Sequence, residues 1–294
     1  MENPKVISWN VNGIRSRIFN ECIGSKVSKT KDLELKENSP INEVLKYDPD
    51  IICFQETRCN KIFGETHIKI SGYNSFFNQS GMTDARGPDR YSGTAIFYKY
   101  TLEPIKIETQ IPGYDDTEGR IIIMYFEHFI IINVYAPNSG TNCDKKEIFI
   151  LHMLDFLKSI SEKFVIFCGD MNIAVDSHFM PSFTEGPAAG FFPFEINFWK
   201  QLKEINYIDP IRCDTIYTWW DPRQRKENGM SICRNRNKGW RLDYFFINQK
   251  TNQYSSRVLK YIGENNQGIP LASDHAPIIL STKYSSCDTD SATA

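Results

Sequence analysis

The sequence lacks the features that mark several large classes of protein. It has no apolar run long enough to span a membrane, and its first residues, Met-Glu-Asn-Pro-Lys, lack the apolar segment of a signal peptide. No segment rich in proline, glycine and serine divides the chain. We therefore expect a soluble intracellular protein without membrane contact, and the sequence favours neither nucleus nor cytoplasm.

Cysteine spacing and charge exclude two further classes. The eight cysteines form no C-x-x-C pair, and several, such as Cys53 and Cys168, lie in apolar runs, which is typical of reduced, buried thiols rather than of zinc ligands or disulfides. The 34 Lys and Arg nearly balance the 36 Asp and Glu, so the net charge is −2 and the chain is not a strongly basic domain. A polyanionic partner would have to bind at a local patch.

The sequence does contain the material for a large α/β core, since 41% of its 294 residues are hydrophobic. Strands are predicted at Val6–Trp9, Ile51–Phe54, Ser92–Tyr98, Ile121–Phe126, Phe129–Tyr135, Phe164–Cys168, Leu242–Ile247 and Pro277–Leu280, which are short, β-branched or aromatic runs bounded by turn residues. Helices are predicted from Ser39-Pro40 onward, at Lys145–Ile160 and near Glu195–Ile205. In the second helix, the predicted apolar stripe consists of Ile148, Leu151, Leu154, Phe156 and Leu157.

The order of these elements predicts a layered α/β fold. Only Glu127-His128 separates two strands, which indicates a hairpin, whereas helices separate others. This mixture predicts an α/β sandwich of two packed mixed β-sheets flanked by helices. We expect a single domain over residues 1–284, with a surface segment at 19–38 and a flexible tail at 285–294.

Four predicted strand ends carry carboxylates and carboxamides. These are Asn10-Val11-Asn12, Gln55-Glu56-Thr57, Gly169-Asp170-Met171-Asn172 and Ser273-Asp274-His275. If they gather at one edge, the site is rich in oxygen ligands, which suits Mg²⁺ or Mn²⁺ rather than Zn²⁺. In an extended segment, residues i and i+2 face the same way, which would direct Asn10 with Asn12, and Asp170 with Asn172, into one cleft. Each segment taken alone is more typical of a turn, and only the four strand ends together with His275 favour a site.

A histidine and a buried carboxylate form the next candidate pair. Asp243 interrupts an otherwise apolar predicted strand, and a buried carboxylate needs a partner. His275 would be one, as an imidazole that Asp243 orients and keeps protonated. A neighbouring arginine is the alternative partner.

A basic segment supplies the local patch that the net charge requires. Residues 222–241 carry a net charge of +6, and Trp219, Trp220 and Trp240 flank them. Basic side chains bind phosphates, and indole rings stack on bases or form a slot for a displaced sugar. A solvated loop beside core tryptophans is the alternative.

Taken in order, these motifs resemble the exonuclease III family of apurinic/apyrimidinic (AP) endonucleases, within the endonuclease/exonuclease/phosphatase superfamily. The similarity runs from about Val6 to Leu280 and includes Gln55-Glu56-Thr57, Gly169-Asp170-Met171-Asn172 and Ser273-Asp274-His275. The same ordered set includes Tyr91-Ser92-Gly93 and Glu118-Gly119-Arg120. The motifs Tyr135-Ala136-Pro137-Asn138 and Gly239-Trp240-Arg241-Leu242-Asp243-Tyr244 narrow the resemblance to the DNA-repair branch.

The resemblance implies a four-layer α/β sandwich and a DNA-repair enzyme. Such an enzyme hydrolyses the phosphodiester 5′ to abasic sites in duplex DNA, leaving a 3′-hydroxyl and a 5′-deoxyribose phosphate, often with 3′-phosphodiesterase and 3′-5′ exonuclease activity. It implies Mg²⁺ as cofactor, with Mn²⁺ as a substitute, and we expect a monomer. The implied metal site is Asn10, Glu56 and Asp274; the catalytic residues are Tyr135, Asn138, Asp170, Asn172, Asp243 and His275; and DNA and the abasic sugar are bound by Asn12, Arg15, Tyr91, Trp219, Trp240 and Leu242.

Two segments depart from the family pattern. Residues 19–38 resemble an insertion after the first motif, and their four lysines could alter the grip on DNA. The basic segment is longer than usual, and Asp221-Pro222-Arg223-Gln224-Arg225 replaces the short apolar wedge that the family can insert into DNA. Two other functions stay open at this point: a superfamily phosphoesterase that acts on a substrate other than DNA, and a DNA-binding relic without activity.

Overall fold

The computed structural model describes most of the chain and shows two mixed β-sheets with helices on their outer faces. The described residues are 3–17, 39–81, 83–84, 87–88, 91–140, 143–174, 188–211, 217–222, 226–227, 230–231, 238–248, 254–259 and 273–282. In chain order, the elements are β1 (Val6–Asn10), α1 (Ile14–Arg17), α2 (Pro40–Leu45), β2 (Ile51–Gln55), α3 (Lys61–His67), β3 (Tyr73–Asn78), β4 (Thr83–Asp84), β5 (Gly87–Pro88), β6 (Thr94–Lys99), β7 (Lys106–Glu108), β8 (Ile121–Tyr125), β9 (Ile130–Tyr135), α4 (Cys143–Ser159), β10 (Val165–Asp170), α5 (Pro193–Glu204), β11 (Lys226–Glu227), β12 (Met230–Ser231), β13 (Asp243–Ile247), β14 (Tyr254–Val258) and β15 (Ile278–Thr282).

The two large sheets combine parallel and antiparallel pairs. The six-stranded sheet has the order β14-β15-β1-β2-β6-β3, and the five-stranded sheet has the order β13-β10-β9-β8-β7. The pairs β1–β2 and β9–β10 are parallel, and β8–β9 is the predicted antiparallel hairpin. Because β1, β2 and β10 all end at residues with polar side chains, Asn10, Gln55 and Asp170, their carboxyl ends bring polar groups together.

Successive residues of a strand face opposite sides of its sheet, so the apolar core has one part between the sheets and one on the outer face of each sheet. The two sheets and the helices on their outer faces form four layers. Between the sheets lies one apolar cluster, to which Ile51 and Cys53 contribute from β2 and Ile122 and Met124 from β8. The outer face of the five-stranded sheet packs against α4 and α5, and that of the six-stranded sheet packs against α2 and α3. The predicted four-layer sandwich is therefore confirmed.

All eight predicted strands and all three predicted helices are present, with ends shifted by one or two residues. The predictions omitted β3, β7, β14, α1 and α3 and the two-residue strands. The predicted stripe of α4 was partly wrong, because Ile148 and Leu151 are 49% and 54% exposed. The buried face instead comprises Lys146, Phe149, Ile150, Met153, Leu154, Phe156 and Leu157, which follows the helical period in a different phase.

Several predictions concern parts of the chain that the structure describes incompletely. Cys53 and Cys168 are free and buried, as predicted, whereas Cys22, Cys213, Cys233 and Cys287 lie outside the described residues. The surface segment 19–38, the tail 285–294 and most of the basic segment also lie outside them. Among the described residues, no helix has both the length and the apolar character needed to cross a membrane.

Candidate active site

The ends of three strands meet where the two sheets adjoin. Asn10 ends β1 in the six-stranded sheet, and its amide nitrogen donates hydrogen bonds to Glu56 Oε1 (3.0 Å) and to Asp170 Oδ2 (2.8 Å). Asp170 ends β10 in the other sheet. One fully buried amide therefore joins two carboxylates from different sheets, which otherwise would repel each other.

Tight turns follow two of these strand ends. The backbone of Asn12 and of Asn172 is left-handed, with φ of 48° and 50°. In each turn the residue two positions earlier accepts the amide hydrogen: Asn12 N donates to Asn10 Oδ1 (3.1 Å), and Asn172 N donates to Asp170 Oδ1 (2.9 Å). Extended backbone, on which the predicted alternation depends, is therefore absent at Asn12 and Asn172, and that prediction was wrong. The turns themselves bring Asn10 with Asn12, and Asp170 with Asn172, to the site. These residues therefore form turns and also lie at the site.

A glycine is needed for the approach of β10 to β9. Gly169 has a φ of 135°, and a Cβ at this position would lie 1.9 Å from the carbonyl oxygen of Val134. Without a side chain, the strand can pair so that Asp170 lies opposite Tyr135. The glycine of this motif is thus required by packing next to the carboxylate.

His275 pairs with Asp243, as predicted. Its Nδ1 lies 2.9 Å from Asp243 Oδ2, and its Nε2 lies 3.8 Å from Asp170 Oδ2. The backbone on which it sits is held by Trp9, whose indole N–H donates to the carbonyl of His275 (3.0 Å). The alternative partner, Arg241, instead forms an ion pair with Asp209.

Burial and neighbouring charges shift the pKa values of this network. Burial by itself lowers the pKa of His275, but the carboxylates of Asp243, Asp170 and Asp274 raise it to about 10. Burial raises the pKa of Asp170 to about 7, against the opposing effect of His275. Near neutral pH, His275 is an imidazolium and Asp170 is close to the midpoint of its titration.

Asp274 lies between the polar turn and an aromatic cluster. Asn12 Nδ2 donates to its Oδ1 (2.8 Å), and the indole N–H of Trp219 donates to its Oδ2 (2.9 Å). Burial alone would raise the pKa of Asp274, but the charge of His275 and these two donors lower it below its usual value. The carboxylate is therefore ionised and held in one orientation.

Trp219 also forms one side of an apolar cluster. Its ring and that of Trp240 meet edge to face with centroids 6.2 Å apart, and the centroid of the His275 ring is 6.5 Å away. Leu242 belongs to the same cluster and is 7% exposed. A small aromatic surface thus borders the His275 imidazole, and both tryptophans stay partly accessible.

The neutral candidates lie beside Asp170. Asn172 donates to the carbonyl of Ala136 (2.9 Å), and Asn138, which is exposed, lies 3.4 Å from Asn172. Burial raises the pKa of the Tyr135 phenol well above its usual value, and the charge of Glu56 raises it further. Tyr135 is therefore a neutral hydroxyl near neutral pH and can donate a hydrogen bond.

A profile of the Endonuclease/Exonuclease/phosphatase family matches residues 7–275. The chain belongs to this family. It is 31% identical over 294 residues to Recombination repair protein 1 of Drosophila melanogaster, and that match covers 95% of this chain and 37% of the fly protein. It is 27% identical to an exodeoxyribonuclease of Bacillus subtilis (strain 168), over 94% of this chain and 98% of that protein.

Solved structures show the same fold. The structure of an AP endonuclease from Archaeoglobus fulgidus superposes with a TM-score of 0.72 over 95% of this chain and 99% of that chain, at 22% sequence identity. A 3′-5′ exonuclease from Neisseria meningitidis superposes with a TM-score of 0.71 at 20% identity, over 95% of this chain and 99% of that chain. An AP endonuclease from Leishmania major superposes with a TM-score of 0.70 at 22% identity, over 96% of this chain and 88% of that chain. The resemblance stated from the motifs is thereby confirmed, and so is the fold that it implied.

Two predicted residues of this family member lie away from the polar network. The guanidinium of Arg15 lies over the ring of Phe63, 5.2 Å from its centroid. Tyr91 is connected to the network through Arg120. The Tyr91 hydroxyl accepts a hydrogen bond from Arg120 (3.0 Å), and the guanidinium of Arg120 lies 4.6 Å from the centroid of the Tyr135 ring. All the other predicted site residues lie in the polar network or in the adjoining aromatic cluster.

Three cations near the site received no role from the sequence. Arg58 forms an ion pair with Glu56, Arg120 holds Tyr91 and Glu118, and Lys146 lies behind the Asp170 turn. Arg120 falls in the Glu-Gly-Arg motif, which could have identified it. Lys146 stands three, four and seven residues before Phe149, Ile150 and Met153, so a correct helical phase would have shown a lysine on an apolar face.

The donor set of the site fits a hard divalent cation. The carboxylates of Glu56, Asp170, Asp243 and Asp274 meet here, and the cations within ion-pair distance among the described residues are Arg58 and His275. This excess of negative charge, in a cluster to which the described part of the chain contributes no thiol, suits Mg²⁺ or Mn²⁺. Ligand atoms of Asp170, Asp243 and His275 also lie within 4.8 Å of one another. In this structure His275 Nδ1 contacts Asp243 and its Nε2 faces Asp170, so the trio forms an ion-pair chain.

Proposed function

We propose that the chain is a Mg²⁺-dependent AP endonuclease that hydrolyses the phosphodiester 5′ to an abasic site in duplex DNA. In this reaction a water oxygen bonds to phosphorus, and the bond from phosphorus to the 3′ oxygen of the preceding nucleotide breaks. The products are a 3′-hydroxyl and a 5′-deoxyribose phosphate. The main support is that the Asp170–His275–Asp243 chain borders the Trp219, Trp240 and Leu242 cluster.

Asp170 has the properties of the group that accepts the proton of the attacking water. A general base works best when its pKa is near the operating pH, and burial raises that of Asp170 to about 7. Asn10 and the amide hydrogen of Asn172 each hold one of its oxygens, which fixes the direction of the carboxylate. Asn172 and Asn138 would orient the water and the phosphate beside it.

His275, Tyr135 and Asn138 would stabilise the negative charge that develops on the phosphoryl oxygens. His275 is cationic near neutral pH because of Asp243, while Tyr135 and Asn138 are neutral donors. Preorganised donors of this kind contribute most where water is excluded, and His275 is only 5% exposed. Asp243 is therefore a positioning residue, since it acts through the imidazole.

Glu56 and Asp274 would hold the metal ion, and Asn10 would orient the Glu56 carboxylate. As oriented in the structure, the amide nitrogen of Asn10 faces both carboxylates, so its part is to space and direct them. When bound, the ion neutralises charge on the phosphate and on the leaving oxygen.

The aromatic cluster is a suitable receptor for a sugar that has lost its base. Extruding a nucleotide costs least where no base is stacked, so a small apolar slot selects abasic sites. Trp219, Trp240 and Leu242 would line this slot, while Arg15, Asn12 and Tyr91 would hold the backbone on either side. We also propose 3′-phosphodiesterase and 3′-5′ exonuclease activities in the same site, with the protein acting as a monomer.

An incision assay tests the proposal. Duplex DNA with one tetrahydrofuran abasic analogue is incubated with Mg²⁺, beside the same duplex with an intact base at that position. We expect a nick 5′ to the analogue only, lost with EDTA and in Glu56→Ala. The matched control is Glu43→Ala, which removes an exposed carboxylate on α2 and should leave incision unchanged. A panel containing an inositol phosphate and RNA tests other substrates, and no nick at high enzyme concentration with either Mg²⁺ or Mn²⁺ would refute the proposal.

A further inference from the structure

One buried cation in this protein has no part in the proposed chemistry. Lys146 is completely buried in α4, on the face that packs against the five-stranded sheet. Phe149, Ile150 and Met153 share this face. A buried charge is costly, and replacing a buried ion pair by apolar residues is often neutral or stabilising. An apolar residue would serve packing at this position at least as well as a lysine does.

Lys146 contacts the turn that carries Asp170 and Asn172. Its Nζ donates a hydrogen bond to the carbonyl of Met171, the residue between them. The amide hydrogen of Met171 is held from the other side by the carbonyl of Leu242 (2.8 Å). The amide and the carbonyl of Met171 are thus both held by hydrogen bonds. Because a carbonyl only accepts, the side chain that holds it from α4 has to be a donor, as a lysine is.

The counter-charge of Lys146 is tied to a second segment of the site. Burial lowers the pKa of Lys146 to about 8, and Glu195 is the carboxylate that most opposes this effect. Glu195 is itself buried in α5, accepts the amide hydrogen of Phe192 (2.8 Å) and hydrogen bonds with the Ser139 hydroxyl. Ser139 follows Asn138 and accepts the amide hydrogen of Gly190 (2.9 Å).

We propose that Lys146 is a positioning residue that fixes the turn of Asp170 and Asn172 through the Met171 carbonyl. Its charge is partly offset by that of Glu195, which is itself connected to the Asn138 segment through Ser139. The rate effect of this inference rests on the proposed function, because Asp170 and Asn172 act there on the attacking water. A lysine that served only to pair with Glu195 would be dispensable once Glu195 is also neutral.

A double variant separates positioning from pairing. Lys146→Met leaves Glu195 buried without its counter-charge, so we expect a lower melting temperature and a kcat reduced about tenfold or more, with KM within about twofold. Adding Glu195→Gln should recover part of the lost melting temperature, because the Met171 carbonyl still lacks its donor, and should not recover kcat. The matched control is Lys158→Met, which removes an exposed lysine from the same helix and should change neither quantity.

A second readout does not depend on the reaction. Hydrogen exchange of the amides of Met171 and Asn172 should be faster in the double variant than in the Lys158→Met control, because the turn has lost its anchor. Recovery of both kcat and protection in the double variant would overturn the inference. If the unmodified protein does not incise abasic DNA, the proposed function fails, and the exchange rates alone still decide whether Lys146 fixes the turn.

Discussion

Two buried ion pairs stand on either side of Leu242 and differ in what they can do. Arg241 pairs with Asp209, and Asp243 pairs with His275. Arg241 is 2% exposed, Asp243 1% and His275 5%, and the side chain of Asp209 is 9% exposed. A guanidinium stays protonated at any pH that the fold survives, whereas an imidazole can lose its proton. Two pairs of similar burial are therefore suited to different roles: a structural one for Arg241–Asp209 and, in the proposed function, a part in the reaction for Asp243–His275.

The surroundings of the two cations reinforce this difference. The guanidinium of Arg241 lies over the Tyr244 ring, 4.6 Å from its centroid, on the side of the core. The imidazole of His275 lies between the carboxylates of Asp243 and Asp170. Burial raises the pKa of the Asp170 carboxyl group to about 7. A proton can thus be exchanged near neutral pH beside the second pair, at Asp170.

The largest effect should come from Asp170→Asn. The amide has nearly the same shape but cannot accept a proton from water, so we expect kcat for abasic-site incision to fall about 10²–10⁴-fold. Single-turnover kinetics with saturating enzyme measure the change, and a melting curve checks the fold. The control is Asp209→Asn, the same substitution in the structural pair, which should leave kcat per folded molecule unchanged. Similar losses in both variants would abolish the distinction between the pairs.

The next effect concerns the free energy of unfolding. Arg241→Met leaves Asp209 buried without a cation, and we expect a loss of about 3–5 kcal/mol in urea-induced unfolding. Combining it with Asp209→Asn should recover part of this loss. In both variants kcat should stay near that of the unmodified protein at temperatures where they are folded. A large fall in kcat of the folded double variant would show that Arg241 serves the reaction as well.

A smaller effect is expected in the pH dependence of Asp243→Asn. His275 must be protonated to act, and its raised pKa keeps it so up to about pH 10. Activity therefore should be retained through neutral pH and be lost as the pH rises through the pKa of His275. Removing the Asp243 charge lowers that pKa, so the alkaline limb of kcat/KM against pH should move to lower pH. An unmoved limb would mean that another group causes it.

The smallest effect should come from Tyr91→Phe, outside both pairs. The phenol accepts a hydrogen bond from Arg120, and we expect it to contact the DNA backbone. Losing one neutral contact should weaken DNA binding about two- to tenfold with little change in kcat. The slope of binding against salt concentration should not change, because no charge is removed. A fall in kcat with unchanged affinity would place Tyr91 in the reaction instead.

Much of the fold and of the pairing was predictable because burial leaves a clear pattern. A carboxylate in an apolar strand, Asp243, required a partner, and the nearby motif offered His275. The short strand β7 was missed because Lys106–Glu108 has one apolar residue, and only its pairing with β8 makes it a strand. The sequence did not determine the cation that pairs with Asp243, because Arg241 and His275 were both candidates.

The position of Lys146 was missed for a different reason. Ile148 and Leu151 gave α4 an apolar stripe that looked sufficient, and the predicted stripe did not include Lys146. The helical period admits a second phase, which buries Phe149, Ile150 and Met153 together with the lysine. Residue type alone misleads when a charged side chain has an internal partner.

Incision in water enriched in ¹⁸O tests the central claim most directly. If the protein hydrolyses the bond 5′ to an abasic site, mass spectrometry will find one ¹⁸O on the 5′-phosphate of the deoxyribose product and none on the new 3′-hydroxyl. This labelled product should be almost absent with Asp170→Asn. Label on a 3′-phosphate, or an unlabelled product with an unsaturated sugar end, would contradict the proposed hydrolysis.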